Sequence, residues 1–129
     1  MKRVLLVCIF CITSIVSNAS AYKILKFYVV PKHNGVAETL SENHLREITD
    51  EYIIIDQGSI KIGRVSLEVT RLNQNTDKER YTDFVSGDVI DDKHQKAIFG
   101  AIYKSETNTT SIVLEYENVQ YWFLTRKVE

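Results

Sequence analysis

Asp88, Asp91 and Asp92 fall within one short stretch, and several oxygen ligands so close together are the beginning of a calcium site. Their spacing does not follow an EF-hand loop, and Lys93 and Lys96 come straight after, so a solvated charged loop is the expectation. His33, His44 and His94 lie far apart and make no two-histidine ligand motif. No metal site is predicted. Nucleophilic chemistry is equally thin: no serine sits in a Gly-x-Ser-x-Gly elbow and no Gly-rich phosphate loop occurs. A working pair of carboxylates leaves no local signature, because folding sets the partner. The inventory predicts a protein that is not an enzyme and carries no cofactor.

Residues suited to binding are easier to find. Trp122 is the only tryptophan and stands next to Tyr121; large amphipathic rings dominate contact energetics, although such a ring can also cover the edge of a core. Two polar segments predicted as loops add charged and amide groups. Lys78 and Arg80 lie in 73–80, and Glu106 and Asn108 in 105–110. Those six residues are the predicted partner-binding set. Asn108-Thr109-Thr110 is also a glycosylation sequon, meaningful only in a eukaryotic host.

The address is written at the start of the chain. Lys2 and Arg3 precede an apolar run from Val4 to Val16, and Ala19-Ser20-Ala21 is a small-x-small cleavage box. This order is a secretory signal peptide over 1–21, with a run too short for the ~20 residues of a spanning helix. Cys8 and Cys11 both lie in it, and Leu6 and Val7 ahead of Cys8 lack the small pair that precedes a lipidated cysteine. The mature domain, 22–129, therefore contains no cysteine and is held by packing and hydrogen bonds. Losing Lys2 and Arg3 takes the 16 basic and 17 acidic residues to 14 and 17, a net −3, which argues against nucleic-acid binding or a polybasic membrane surface.

These residues need elements to hold them. Tyr22 to Val30 reads as a strand ending at Pro31, and Asn34-Gly35 as a turn. Thr39 and Glu42 fit a capping box, and Leu40, His44, Leu45 and Ile48 share a helical face, predicting one α-helix over 40–50. A short strand at Glu51–Asp56 and a turn at 57–59 follow. The apolar alternation then changes phase at Gly63-Arg64, which predicts a bulge or a sharp strand bend. After the polar segment 73–80 come a weak strand over 81–90, strands at 97–104, 111–116 and 119–126, and a tight turn at Glu117-Asn118. That turn pairs Leu114 with Tyr121 and Ile112 with Phe123, making Ile112, Leu114, Tyr116, Val119, Tyr121 and Phe123 a core face. The fold class is mainly β: a small antiparallel barrel or strongly bent sheet with one helix, in a single domain.

The order of strand, Leu-Ser-Glu helix, EYIIIDQGSIKI and the closing YENVQYWFLTRK resembles that of the small secreted lipocalin-like proteins. The resemblance implies a β-barrel and leaves the role open, since such barrels host many functions.

Two functions follow as expectations. The first is an exported protein-binding module: a periplasmic inhibitor or immunity protein against a cell-wall-degrading enzyme or toxin, its partner a cationic hydrolase. The second is a lipocalin-like carrier of a small apolar ligand, lined by Tyr28, Ile54, Leu67, Ile102 and Tyr121. A packed interior favours the first, and an apolar cavity open to solvent favours the second. A homodimer through an unpaired edge strand is a further expectation.

Overall fold

Alternating β-branched and aromatic residues suit a pleated surface half in and half out of a core. The computed structural model describes residues 19–56, 58–77 and 82–128, the side chains of 73–77 and 82–84 excepted. Its strands are β1 (Ser20–His33), β2 (Val36–Ala37), β3 (Leu45–Arg46), β4 (Tyr52–Asp56), β5 (Ser59–Ile62), β6 (Val65–Asp77), β7 (Thr82–Asp91), β8 (Lys96–Lys104), β9 (Thr109–Glu115) and β10 (Val119–Val128). All but the short β2 and β3 follow one another around a closed eight-stranded antiparallel barrel, which β10 completes by pairing with β1. β4, β3 and β2 share the other edge of β1, at residues 20–23, 27–28 and 32–33 respectively.

Antiparallel neighbours put successive turns at alternate ends of the barrel. The β5–β6, β7–β8 and β9–β10 turns gather at one end with the 47–51 connection into β4. The paired strand ends Asp56 and Ser59, Asp77 and Thr82, and Lys104 and Thr109 point to the other. Between them the interior is packed with Ile53, Ile60, Leu67, Val89 and Ile112, each at most 1% exposed.

The expected β-barrel is present, and the hairpin register is the one the two-residue turn requires: Leu114 faces Tyr121 and Ile112 faces Phe123. Asn34 and Gly35 have φ of 54° and 81°, the pair of positive angles that an Asn-Gly hairpin turn adopts.

Three expectations are corrected. The helix over 40–50 does not form; Glu42–His44 makes one 3-10 turn, capped by Ser41 rather than Thr39. Of that face only His44 is buried, while Leu40, Leu45 and Ile48 are all exposed, so the cost of nucleating a helix is not offset. Leu45 and Arg46 pair instead with Tyr28 and Phe27 on the edge of β1. Residues 73–77 are not loop but the far part of β6, paired with residues 82–86 of β7. There the ribbon has run past β5, so polar residues need no buried face. Gly63-Arg64 is neither bulge nor bend inside a strand but the turn between β5 and β6, with Ile62 opposite Val65. Gly63 takes φ +59° at its first central position, where a two-residue hairpin wants glycine.

The bulges lie elsewhere, at Leu25 in β1 and Thr70 in β6, where one extra residue shifts the register. The second lies opposite Val89 and Asp88, and beside it Gly87, paired with Leu72, comes so close to the Arg71 backbone that a Cβ would collide with it. Closure of β1 on β10 leaves open, among the described barrel strands, chiefly the edge of β6 beyond its pairing with β5.

Candidate functional site

The bulge at Leu25 decides what β1 presents to the interior. Ile24 points inward before it, and Phe27 points inward after it, opposite Phe123. The Phe27 and Phe123 rings stack at 4.9 Å and 16°. Phe27 also lies 6.2 Å from Tyr121, which meets Tyr116 edge-on at 6.0 Å and 85°. Four aromatic side chains from β1, β10 and the end of β9 thus form one wall, in the offset and edge-to-face arrangements such rings prefer.

That wall faces a cavity of about 780 Å³ opening at the end of the barrel that holds the β5–β6, β7–β8 and β9–β10 turns. Ile24, Ile62 and Leu114 lie at its apolar base, and Ile48, Val65 and Val119 nearer the mouth. Polar residues from three connections ring the opening: Thr49 and Asp50 before β4, Asp92, Lys93 and Gln95 after β7, and Glu117-Asn118 before β10.

Asp91 anchors this mouth. Its Oδ1 accepts the backbone N–H of Lys93 at 2.9 Å and of Gln95 at 2.8 Å, and its Oδ2 accepts the Tyr116 hydroxyl at 3.0 Å. Burial would raise the Asp91 pKa, but those donors outweigh it and hold the carboxyl below the usual aspartate value. Burial, reinforced by the same carboxylate, pushes the Tyr116 phenol up, so this ring keeps its proton and stays a donor. Asp50 lies against the Cα of Gly63, where a Cβ would meet its carboxylate. Among the described residues no hydrogen bond or ion pair ends on the carboxylates of Asp50, Asp92 or Glu117.

The outer face carries a different network. The Trp122 indole donates to Gln120 Oε1 at 2.9 Å, and the Gln120 amide donates to Glu115 Oε1 at 2.6 Å. Glu115 Oε2 accepts Lys32 Nζ at 2.9 Å, and this ammonium also donates to the Tyr116 carbonyl at 3.0 Å. The Lys32 hydrogen bond, helped by Gln120 and opposed by burial, lowers the Glu115 pKa. These groups tie β1, β9 and β10 together across the seam where the barrel closes. On the neighbouring strap, Glu38 accepts His44 Nε2 at 2.9 Å and His33 Nε2 at 2.7 Å, and those hydrogen bonds lower its pKa.

The predicted site residues do not converge. Tyr121 lines the cavity, whereas Trp122 is half-buried on the opposite face of β10 beside Tyr28 and Val113. Glu106 and Asn108 are exposed in the β8–β9 connection at the far end of the barrel, where Asn108 takes φ 53° and accepts the Tyr103 hydroxyl at 3.4 Å. Lys78 and Arg80 lie outside the described residues. Of the predicted carrier lining, Tyr121 faces the cavity and Leu67 is packed below it. Tyr28, Ile54 and Ile102 face outward instead, because Phe27, Ile53, Ile55 and Ala101 take the inward positions beside them. Asp88 is exposed on the outer face and is not brought near Asp91's carboxylate partners. Among the described residues no group of three metal-ligating side chains gathers.

Phe27, Tyr116, Asp50 and Asp91 were not singled out for the cavity by sequence reasoning. The core-face assignment of Tyr116 and Tyr121 was the available signal, since two tyrosines near a turn carry hydroxyls that a dry core does not satisfy. No protein-family model, curated protein or solved structure matches this chain.

Proposed function

We propose that this protein is an exported, lipocalin-like carrier that holds a small apolar ligand in the mouth of its barrel. The single observation behind this reading is the cavity of about 780 Å³, apolar and aromatic at its base and open at one end. Small-molecule sites are typically concave, about 300–1,000 Å³, and mostly apolar with a few placed polar groups. Two features make the mouth a prepared surface rather than a packing fault. The stacked rings keep one wall in place, and Asp91 locks the Tyr116 hydroxyl and the 91–95 turn together.

The test is a fluorescence titration with N-phenyl-1-naphthylamine, a neutral dye that brightens in apolar surroundings. A saturable increase is expected, and Val119→Trp, which fills the mouth, should weaken it at least tenfold while thermal stability stays close to that of the parent. A flat titration, or a Val119→Trp protein that binds the dye as well as the parent does, would overturn the proposal.

The protein-binding inhibitor remains a second reading. It is favoured by the β6–β7 ribbon, which runs beyond the pairing with β5 and exposes Arg71 and Leu72. Native mass spectrometry of the protein isolated from its own cell envelope separates the two: a bound polypeptide supports the inhibitor, and a small added mass the carrier.

A further inference from the structure

We infer that the ligand of this cavity is an amphiphilic cation, an amine or quaternary ammonium on an apolar body, with its charge at the mouth and its body against the aromatic wall. The inference rests on the reading of the mouth as a binding site and adds the chemistry of what enters it.

Charge at the opening is lopsided. Asp50, Asp91, Asp92 and Glu117 line it against Lys93 and Lys96, a formal balance of −2. Lys96 and Glu117 also border a second groove on the outer face, and setting both aside leaves the same balance. The acids reach the mouth from three separate connections, whereas both lysines come from the β7–β8 side alone. A cation near the centre of the opening therefore meets carboxylates from several directions, and an anion meets ammonium groups from one.

Local pairing leaves this charge in place. Among the described residues, Asp50, Asp92 and Glu117 have no salt-bridge partner, although Lys93 and Lys96 share the rim. Asp91 is hydrogen-bonded only to uncharged donors, so it organises the turn while keeping its negative charge. Low-dielectric walls on one side of such a ring focus its field into the opening.

The lining below has the matching character. Phe27, Tyr116, Tyr121 and Phe123 offer π systems, whose negative faces attract a cation within ~6 Å and do nothing comparable for a carboxylate. Ile24 and Leu114 beneath them offer only apolar contact. A neutral lipid would use the base of the cavity and ignore the rim; a fatty acid would place its charge against the wrong sign.

The experiment displaces bound N-phenyl-1-naphthylamine with three amphiphiles of equal chain length: decyltrimethylammonium, decanol and decanoate. Decyltrimethylammonium should displace the dye at a concentration at least fivefold below that of decanol, and decanoate should be the weakest. Raising the salt from 20 to 500 mM should shrink the cation's advantage, because exposed charges are screened. Asp50→Asn should reduce the ratio of cation to decanol affinity about threefold, and Lys93→Gln should increase it, each ratio being taken within one variant. Decanol or decanoate matching the cation, or a ratio indifferent to both substitutions, would overturn the inference while leaving the carrier reading standing. Failure of the dye itself to bind would overturn both.

Discussion

At the end of the barrel where β8 turns into β9, the interior is filled. Thr125 is fully buried, and its hydroxyl donates to the Thr110 carbonyl at 2.7 Å. At the opposite end the same strands carry Tyr116, Val119 and Tyr121 at the corresponding inward positions, and all three remain partly exposed around an open cavity. The difference lies in side-chain size and in what each polar atom finds. Thr125 and Thr110, neighbours across the β9–β10 ladder, are both small and buried there, and the Thr125 hydroxyl is satisfied on the backbone. At the mouth the rings lie along the wall, stacked on one another, and leave the axis of the barrel clear. An eight-stranded barrel has an interior just wide enough for its side chains to fill it. Whether it becomes a core or a container is decided by a few inward residues near each end.

The largest expected effect separates the two ends by packing. Ile112→Ala removes a fully buried side chain below the cavity and should cost about 2–5 kcal/mol, since surrounding atoms relax only partly into the space. Tyr121→Ala should cost less, about 1–2 kcal/mol, because its ring is only partly buried, yet it should weaken dye binding more than Ile112→Ala does. Urea midpoints and dye titrations on both variants check this. Equal stability losses would mean that the mouth is a core after all.

Much of this contrast could be read from the residues, and the remainder has identifiable causes. The β9–β10 hairpin was readable because a two-residue turn leaves one register, and the register names the inward set. Where that constraint was missing, alternation misled. Tyr28 shares the even numbering of inward Ile24, but the extra residue at Leu25 reverses the phase and turns Tyr28 outward. Three consecutive isoleucines at 53–55 interrupt the polar–apolar alternation that would reveal which of them faces out. The helix over 40–50 failed for the opposite reason: its pattern was good, but no surface lay under it, and the edge of β1 offered backbone partners. Nothing local announces that Asp50 meets the β7–β8 and β9–β10 turns at one opening, because closure of the barrel brings them together.

A second comparison concerns how closely the strands approach. Gly87 pairs with Leu72 beside the bulge of β6, and Gly87→Ala drives a methyl group into the Arg71 carbonyl, which is backbone and cannot swing away. A loss of about 1–3 kcal/mol is expected from the forced shift. Gly100, also on a central strand, has open space where a Cβ would go, so Gly100→Ala should be neutral or slightly stabilising. Thermal melts of the pair suffice; equal losses would show that the bulge does not constrain Gly87.

Polar anchoring gives a smaller contrast. Thr125→Val keeps shape at the filled end but loses a buried hydroxyl donor, at about 1–2 kcal/mol. Tyr116→Phe removes the hydroxyl that meets Asp91 and should cost about 0.5–1 kcal/mol, because the mouth admits water to the freed carboxylate oxygen. A larger loss for Tyr116→Phe than for Thr125→Val would reverse the assignment of wet and dry ends.

The smallest effect is acid sensitivity, and it too should belong to one end. Asp91 has a folded-state pKa below its ordinary 3.8, because two backbone amides and the Tyr116 hydroxyl favour its charged form over the opposition of burial. A lowered pKa means that its stabilising contribution is complete above the unfolded value and is lost as the pH falls through the folded one. Acidification below 3.8 should therefore loosen the 91–95 turn first. At the filled end, the Thr125 to Thr110 bond contains no group that titrates there. In an NMR titration the Lys93 and Gln95 amide signals should move together, with a midpoint below 3.8, while those of Thr110 and Thr125 stay still. Asp91→Asn should abolish the movement. A midpoint at or above the ordinary aspartate value would mean that the turn does not hold the carboxylate as described. The donors around Asp91 would then not favour its charged form over its neutral one, and acid would not single out this end of the barrel.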